Sequence, residues 1–266
     1  MNRVSPSLGP SPELTAAELE RAIHASDLQL VYQPKITLAS NALAGVEALV
    51  RWRHKGRGTI SPVDFIPLAE QNGLIEPLTK WVLSTAASDW VAWDRDGLAI
   101  DIAVNVSAKN LDQLDFPDRM ADICRTHGMP CDYLTVELTE SATQGAIELL
   151  DTLTRCRLKG MKISLDDFGT GYSSLIQLQR LPFSDLKIDK SFVIDAPKSR
   201  DARIIVRTIV DLAHNLGLQA TAEGIETEEM RQMLVDFGCD MAQGFLFARP
   251  MPADRLPGWV QGRQAS

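Results

Sequence analysis

The sequence predicts an α/β fold, a closed (β/α)8 barrel, and three observations lead there. Strand-like and helical segments alternate along nearly the whole chain, which implies parallel strands under a helical cover. About eight strand-like runs share 266 residues, a number that favours a closed barrel over an open doubly wound sheet. Most of those runs also end in a carboxylate, an amide or a lysine, as expected where strand ends converge on one mouth.

In chain order, residues 1–13 are rich in Ser and Pro, lack an apolar core and read as a disordered arm or linker, not a signal peptide. The barrel is expected over residues 14–262. Leu14–Ala25 reads as a helix, with Thr15 as N-cap and Glu18 at capping-box spacing. Leu28–Tyr32 and Leu43–Trp52 are strand candidates, and Pro62–Gln71 and Pro77–Trp93 are helical. Strand-like Ala99–Val106, Leu134–Leu138, Lys162–Leu165, Asp185–Ile188, Leu218–Ala222 and Ala242–Phe247 follow. Between them lie helical patterns at Pro117–His127, Thr143–Leu158, Ser174–Gln179, Ala202–Leu216 and Thr227–Phe237. Trp81, Trp90 and Trp93 share a helical stripe and read as core or interface, as does Phe192.

The bulk composition narrows the function. A net charge of −8 argues against duplex nucleic acid and polybasic membrane binding. No apolar run approaches the roughly 18 residues a membrane span needs. Cys124, Cys131, Cys156 and Cys239 are scattered without a C-x-x-C pair, which suits a reduced, cytoplasmic chain. The chain is compatible with a complete short protein or with the end of a longer one.

Strand side chains alternate sides, so each run sorts into two faces. Val46, Ala48 and Val50 lie opposite Glu47, Leu49 and Arg51. Ile102, Val104 and Val106 lie opposite Asn105, and Leu134, Val136 and Leu138 lie opposite Glu137. Ile163 and Leu165 lie opposite Asp166, and Leu186 and Ile188 lie opposite Lys187 and Asp189. Glu223 closes its strand and Gln243 sits in the last. Any one such residue is readily explained as solvated or as a helix cap, Glu140 before Ser141 and Thr143 included. Recurrence on successive strands points to a site.

Glu47, Glu137, Asp166, Asp167 and Glu223 in one cavity raise one another's pKa, so some are protonated or cations compensate them. His24, His54, His127 and His214 fall in helical patterns or a loop, which leaves oxygen donors and favours Mg²⁺ or Mn²⁺ over Zn²⁺. Adjacent Asp166 and Asp167 suit two neighbouring ions, the arrangement that assists in-line phosphoryl displacement. Lys187 is the one cation expected among these acids, either balancing charge or orienting water or phosphate. Asp167–Ser174 is a glycine-rich strand-to-helix loop whose DFG tripeptide lacks the companion elements of a protein kinase.

These residues resemble the EAL domain family. Glu47-Ala48-Leu49 matches its name, and Tyr32-Gln33-Pro34, Phe65–Glu70, Val104–Ser107, Glu137–Glu140, Asp166–Gly171, Lys187–Asp189, Ala222–Glu226 and Gln243–Phe245 follow in order. The resemblance implies a modified (β/α)8 barrel with one antiparallel strand that hydrolyses cyclic di-GMP to linear pGpG. It implies that Glu47, Asn105, Glu137 and Asp166 hold one metal ion and that Asp167 serves a second. Lys187 resembles the residue that positions the nucleophilic water, Glu223 a general base or further metal ligand, and Gln243 a polar partner. Gln33, Leu49, Arg51 and Asp189 are similar to substrate contacts, and Glu140 to the anchor of the loop after Asp167. Lys55, Ile225 and Phe245 stand where proline, valine and tyrosine are common, and none of these departures removes a ligand. A homodimer and an N-terminal sensor or receiver domain also fit the family. The competing readings are a catalytically silent cyclic di-GMP receptor, a phosphodiesterase for another nucleotide, and a scaffolding barrel.

Overall fold

The computed structural model describes residues 14–25, 27–143, 146–169 and 175–264. The arm expected over residues 1–13 lies outside them, as do residues 170–174 of the glycine-rich loop. Nine strands form one sheet: β1 (Leu28–Thr37), β2 (Leu43–His54), β3 (Gly58–Ile60), β4 (Asp101–Asn105), β5 (Leu134–Thr139), β6 (Lys162–Phe168), β7 (Asp185–Ile188), β8 (Gln219–Ala222) and β9 (Met241–Gln243).

From β2 through β4 to β9 the neighbours run parallel. β1 is antiparallel to both β2 and β9 and closes the ring, while β3 only extends the outer end of β2 as a hairpin. The antiparallel strand has a local cause. Residues 38–42 between β1 and β2 are too few for a crossover helix, so the chain must reverse. Asn41 takes the left-handed backbone in that turn, φ 57°, which its short polar side chain tolerates.

Two strand expectations need correction. β1 runs to Thr37 instead of stopping at Tyr32, because Pro34 is accommodated opposite Val46 without ending the strand. β9 stops at Gln243, so Phe245–Phe247 is not strand. There the chain turns onto the loop after β8, with Ile225 N donating to Gln243 O (3.2 Å) and Leu246 N to Ile225 O (2.9 Å). The close approach requires Gly244, since a Cβ would lie 2.1 Å from Ile225 O.

Packing sorts the two strand faces. Val46, Ile102, Val104, Val136, Ile163 and Leu186 are buried beneath the helices. Trp90 and Trp93 belong to that core, their indole N–H groups donating to Ile100 O (2.9 Å) and Ala253 O (3.0 Å). The N-terminal helix, Ala16–His24, carries the anticipated capping box of Thr15 and Glu18. The barrel interior is different: Lys35, Glu47, Glu137, Ser164, Asp185 and Lys187 are buried there, where barrels ordinarily stack branched apolar residues.

Gly244→Ala is expected to destabilise the fold by about 1–3 kcal/mol through overpacking, lowering Tm by several degrees in a calorimetric scan. Gly258→Ala, in helix Leu256–Gln264 with open space around the new methyl, should leave Tm unchanged or raised. An equal effect of the two would refute the tight Gly244–Ile225 approach.

Candidate active site

Alternation along the parallel strands delivers Glu47, Asn105, Glu137, Asp166 and Lys187 to the C-terminal mouth, with Glu223 immediately after β8. Because β1 runs the other way, Gln33 meets Glu47 in register and enters the same layer. Gln243 joins from β9.

The centre of the cluster is Lys187, which has no exposed surface. Its Nζ lies 2.7 Å from Glu223 Oε1, 3.1 Å from Glu137 Oε2, 3.1 Å from Asp166 Oδ1 and 3.5 Å from Glu47 Oε2. Amides hold both oxygens of Glu47: Asn105 Nδ2 donates to Oε1 (2.8 Å) and Gln243 Nε2 to Oε2 (2.7 Å). Gln243 Nε2 also reaches Gln33 Oε1 at 3.0 Å, and Gln33 Nε2 donates to Ala248 O at 3.3 Å. Burial works to lower the Lys187 pKa, but Glu137, Glu47, Glu223 and Asp166 together raise it well above the ordinary lysine value. Glu47 shows the converse: burial would raise its carboxyl, yet Lys187, Lys35 and the amide donors hold it down to about 2. Glu223 goes the other way, pushed up to about 8 by burial and by Asp166 and Glu47 despite Lys187.

Within β6 Asp167 takes the left-handed backbone, φ 55°, at a shift of register against β7, and its N–H donates to Asp166 Oδ1 at 2.9 Å. Burial, Asp166 and Asp189 push its carboxyl up to about 6. Glu140 is buried and its Oε2 accepts from Gly169 N at 3.0 Å, so it holds the start of the glycine-rich loop. Gly169, at φ 100°, leaves no room for a side chain beside Phe192, whose ring a Cβ would approach to 2.8 Å. Leu49 and Arg51 line a cavity of about 720 Å³ that also reaches Glu70, Asn105 and Asp167, and Arg51 interacts electrostatically with Glu47. Asp189 joins the centre through Asp167, which its carboxylate touches, while its Oδ1 caps helix Lys190–Asp195 by accepting from Ser191 N (2.9 Å).

Lys35 was absent from the sequence reading and corrects it, because Lys187 is not the only cation among the acids. Lys35 is buried, and its Nζ donates to Glu137 Oε1 at 2.6 Å. Ending β1 at Tyr32 hid it. Continuing the alternation from Gln33 would have placed Lys35 on the same inward face.

Two carboxylate groups could hold a divalent cation: Glu47 with Glu137 and Asp166, and Asp166 with Asp167 and Glu223. Within each, one oxygen per residue lies within 4.8 Å of the others, a spread matched to hard cations that bind oxygen at about 2.0–2.6 Å. Gln243 Oε1, buried nearby without a hydrogen-bond partner among the described residues, is a further oxygen in keeping with that chemistry.

Fold and site together define an α/β barrel with a carboxylate centre at its mouth. Residues 16–250 match the family described as the EAL domain, and the chain belongs to that family. A cyclic di-GMP phosphodiesterase of Pseudomonas aeruginosa is 39% identical over 233 residues, covering 87% of this chain and 40% of the relative. MucR of the same organism, a bifunctional diguanylate cyclase/cyclic di-GMP phosphodiesterase, is 42% identical over 241 residues, covering 90% and 35%. The solved PaMucR phosphodiesterase in complex with c-di-GMP superposes with TM-score 0.86 at 41% identity, over 90% of this chain and 98% of that one. This chain thus spans well under half the length of the first curated relatives it matches. Among the described residues no helix is long and apolar enough to cross a membrane.

Replacing Lys187 by Met leaves buried carboxylates without their shared cation, a change of the kind that costs about 3–5 kcal/mol. Thermal unfolding in chelator should show that loss. A divalent cation should raise the variant's Tm by more than it raises the wild type's, since it supplies the missing positive charge. Equal shifts in the two proteins would contradict this electrostatic assignment.

Proposed function

We propose that this chain is a divalent-cation-dependent phosphodiesterase that hydrolyses cyclic di-GMP to linear pGpG. The observation that carries the proposal is the pair of carboxylate groups joined at Asp166 and set beside the cavity of Leu49 and Arg51. The relatives named for this activity support it.

Glu47, Asn105, Glu137 and Asp166 would hold one ion, and Asp167, with Asp166 and Glu223, a second. When bound, Mg²⁺ or Mn²⁺, the ions an oxygen-only donor set favours, would lower the pKa of a water and offset charge on the scissile phosphate. Lys187 would orient the attacking water with an N–H released when a bound cation takes over a carboxylate oxygen that the ammonium now holds. Glu223, within 2.7 Å of Lys187 Nζ, accepts the water's proton as general base. The water oxygen bonds to phosphorus as the bond to the ribose 3′-oxygen breaks, and that oxygen leaves and takes up a proton from solvent, which opens the ring to the linear dinucleotide. Gln243 keeps Glu47 and Gln33 in register with this centre. Gln33, Leu49 and Arg51 contact the substrate, the guanidinium fork of Arg51 matching a phosphate. Asp189 contributes through Asp167, and Glu140 anchors the loop at Gly169.

The described cysteines are free thiols, in keeping with action in the cytoplasm. The greater length of the relatives suits attachment to an N-terminal sensor or receiver domain. Exposed Leu175, Ile176 and Ile204 on helices Leu175–Arg180 and Arg200–Asn215 suit assembly as a homodimer.

Purified chain supplied with Mg²⁺ or Mn²⁺ should convert cyclic di-GMP to pGpG, read by chromatography of the products. Glu47→Gln should lower the rate by more than the roughly 10–100-fold that loss of an outer partner costs. Calorimetric binding of cyclic di-GMP without any product at saturating cation would replace this reading with that of a silent receptor.

A further inference from the structure

Beneath the mouth, small residues share the barrel interior with Lys35 and Asp185. β2 contributes Gly45, β4 Ala103 and β5 Thr135, and a cavity of about 50 Å³ lies among them. Lys35 occupies this level, opposite Gly45 on one side and Gln243 on the other. Its side chain reaches Glu137, the most deeply buried of the mouth carboxylates. The two oxygens of Glu137 are thereby divided: Oε1 faces Lys35 at 2.6 Å and Oε2 faces Lys187 at 3.1 Å. A negative charge also sits at the lower level. Asp185 is buried, accepts from Ser164 Oγ (2.6 Å) and Thr221 Oγ1 (2.8 Å), and interacts electrostatically with Lys35.

We infer that Lys35 is a positioning residue: it grips Glu137 Oε1 from the buried side and so presents Oε2 to Asp166 and Glu47. The inference rests on the reading of Glu47, Glu137 and Asp166 as the holders of one cation. Charge alone makes the opposite forecast, because removing a buried ammonium beside a cation site strengthens the attraction for the cation. Positioning forecasts a weaker site, because a Glu137 with one oxygen released can rotate. Lys35 does not line the cavity of Leu49 and Arg51, so its effect on the reaction should fall on kcat and not on KM.

The test is calorimetric titration with Mn²⁺ alone, on wild type and on Lys35→Met, with circular dichroism and Tm in chelator to verify folding. Lys35→Met should bind Mn²⁺ about 10–100-fold more weakly, the range seen when a ligand's outer partner is lost. It should also turn over cyclic di-GMP with reduced kcat at unchanged KM. Unchanged or tighter Mn²⁺ binding by the variant overturns the inference. Absence of Mn²⁺ binding by the wild type overturns the site reading itself, so the two failures are distinct. Should Lys35→Met not fold, Lys35→Arg is titrated instead; it keeps the charge but cannot seat one ammonium at the same point. Affinity within about threefold of wild type, against the roughly tenfold or greater loss expected, then overturns positioning.

Discussion

Lys187 is enclosed completely, and carboxylates of Glu47, Glu137, Asp166 and Glu223 surround its ammonium at 2.7–3.5 Å. Burying either sign alone inside a protein costs several kcal/mol per ion, so neither the lysine nor the acids could occupy this volume without the other. The barrel wall is what makes the arrangement tolerable. Its outward faces carry the hydrophobic burial of the fold, which releases the inward faces from that duty. The interior can then hold charge in fixed positions, with amide donors from Asn105 and Gln243 on Glu47 and hydroxyl donors from Ser164 and Thr221 on Asp185.

Most of this was legible in alternation. Once a strand's apolar side is assigned to the helices, the other side names Glu47, Asn105, Glu137, Asp166 and Lys187, and the structure brings those residues together. Alternation does not encode the places where backbone geometry, not side-chain type, decides the outcome. Pro34 ordinarily marks the end of a strand, yet β1 carries it through, and Lys35 was lost with the discarded half. The apolar run Phe245–Phe247 has the composition of a strand. It leaves the sheet because Gly244 admits a backbone contact with Ile225 that no pattern of hydrophobicity encodes. Asp189 looked like the next inward acid after Lys187, but one residue past the strand it turns to cap a helix. Substrate identity was never in the alternation; it came from motif resemblance.

The carboxylate centre is also joined to its surroundings by backbone contacts. Glu140 follows β5 and secures Gly169 after β6, while Gly169 lies so close to Phe192 that only hydrogen fits on its Cα. The segment beyond β6 is therefore fixed at its root by a carboxylate from one strand connection and an aromatic ring from another.

Asp166 belongs to both carboxylate groups at the mouth, and this sharing has a thermodynamic consequence. Two ligands that draw on one side chain are not independent. Whatever the first does to the free energy of placing the second, the second must do, to the same extent, to the first. Were both carboxylate groups to take a cation, the shared aspartate would couple them, the occupancy of one changing the affinity of the other.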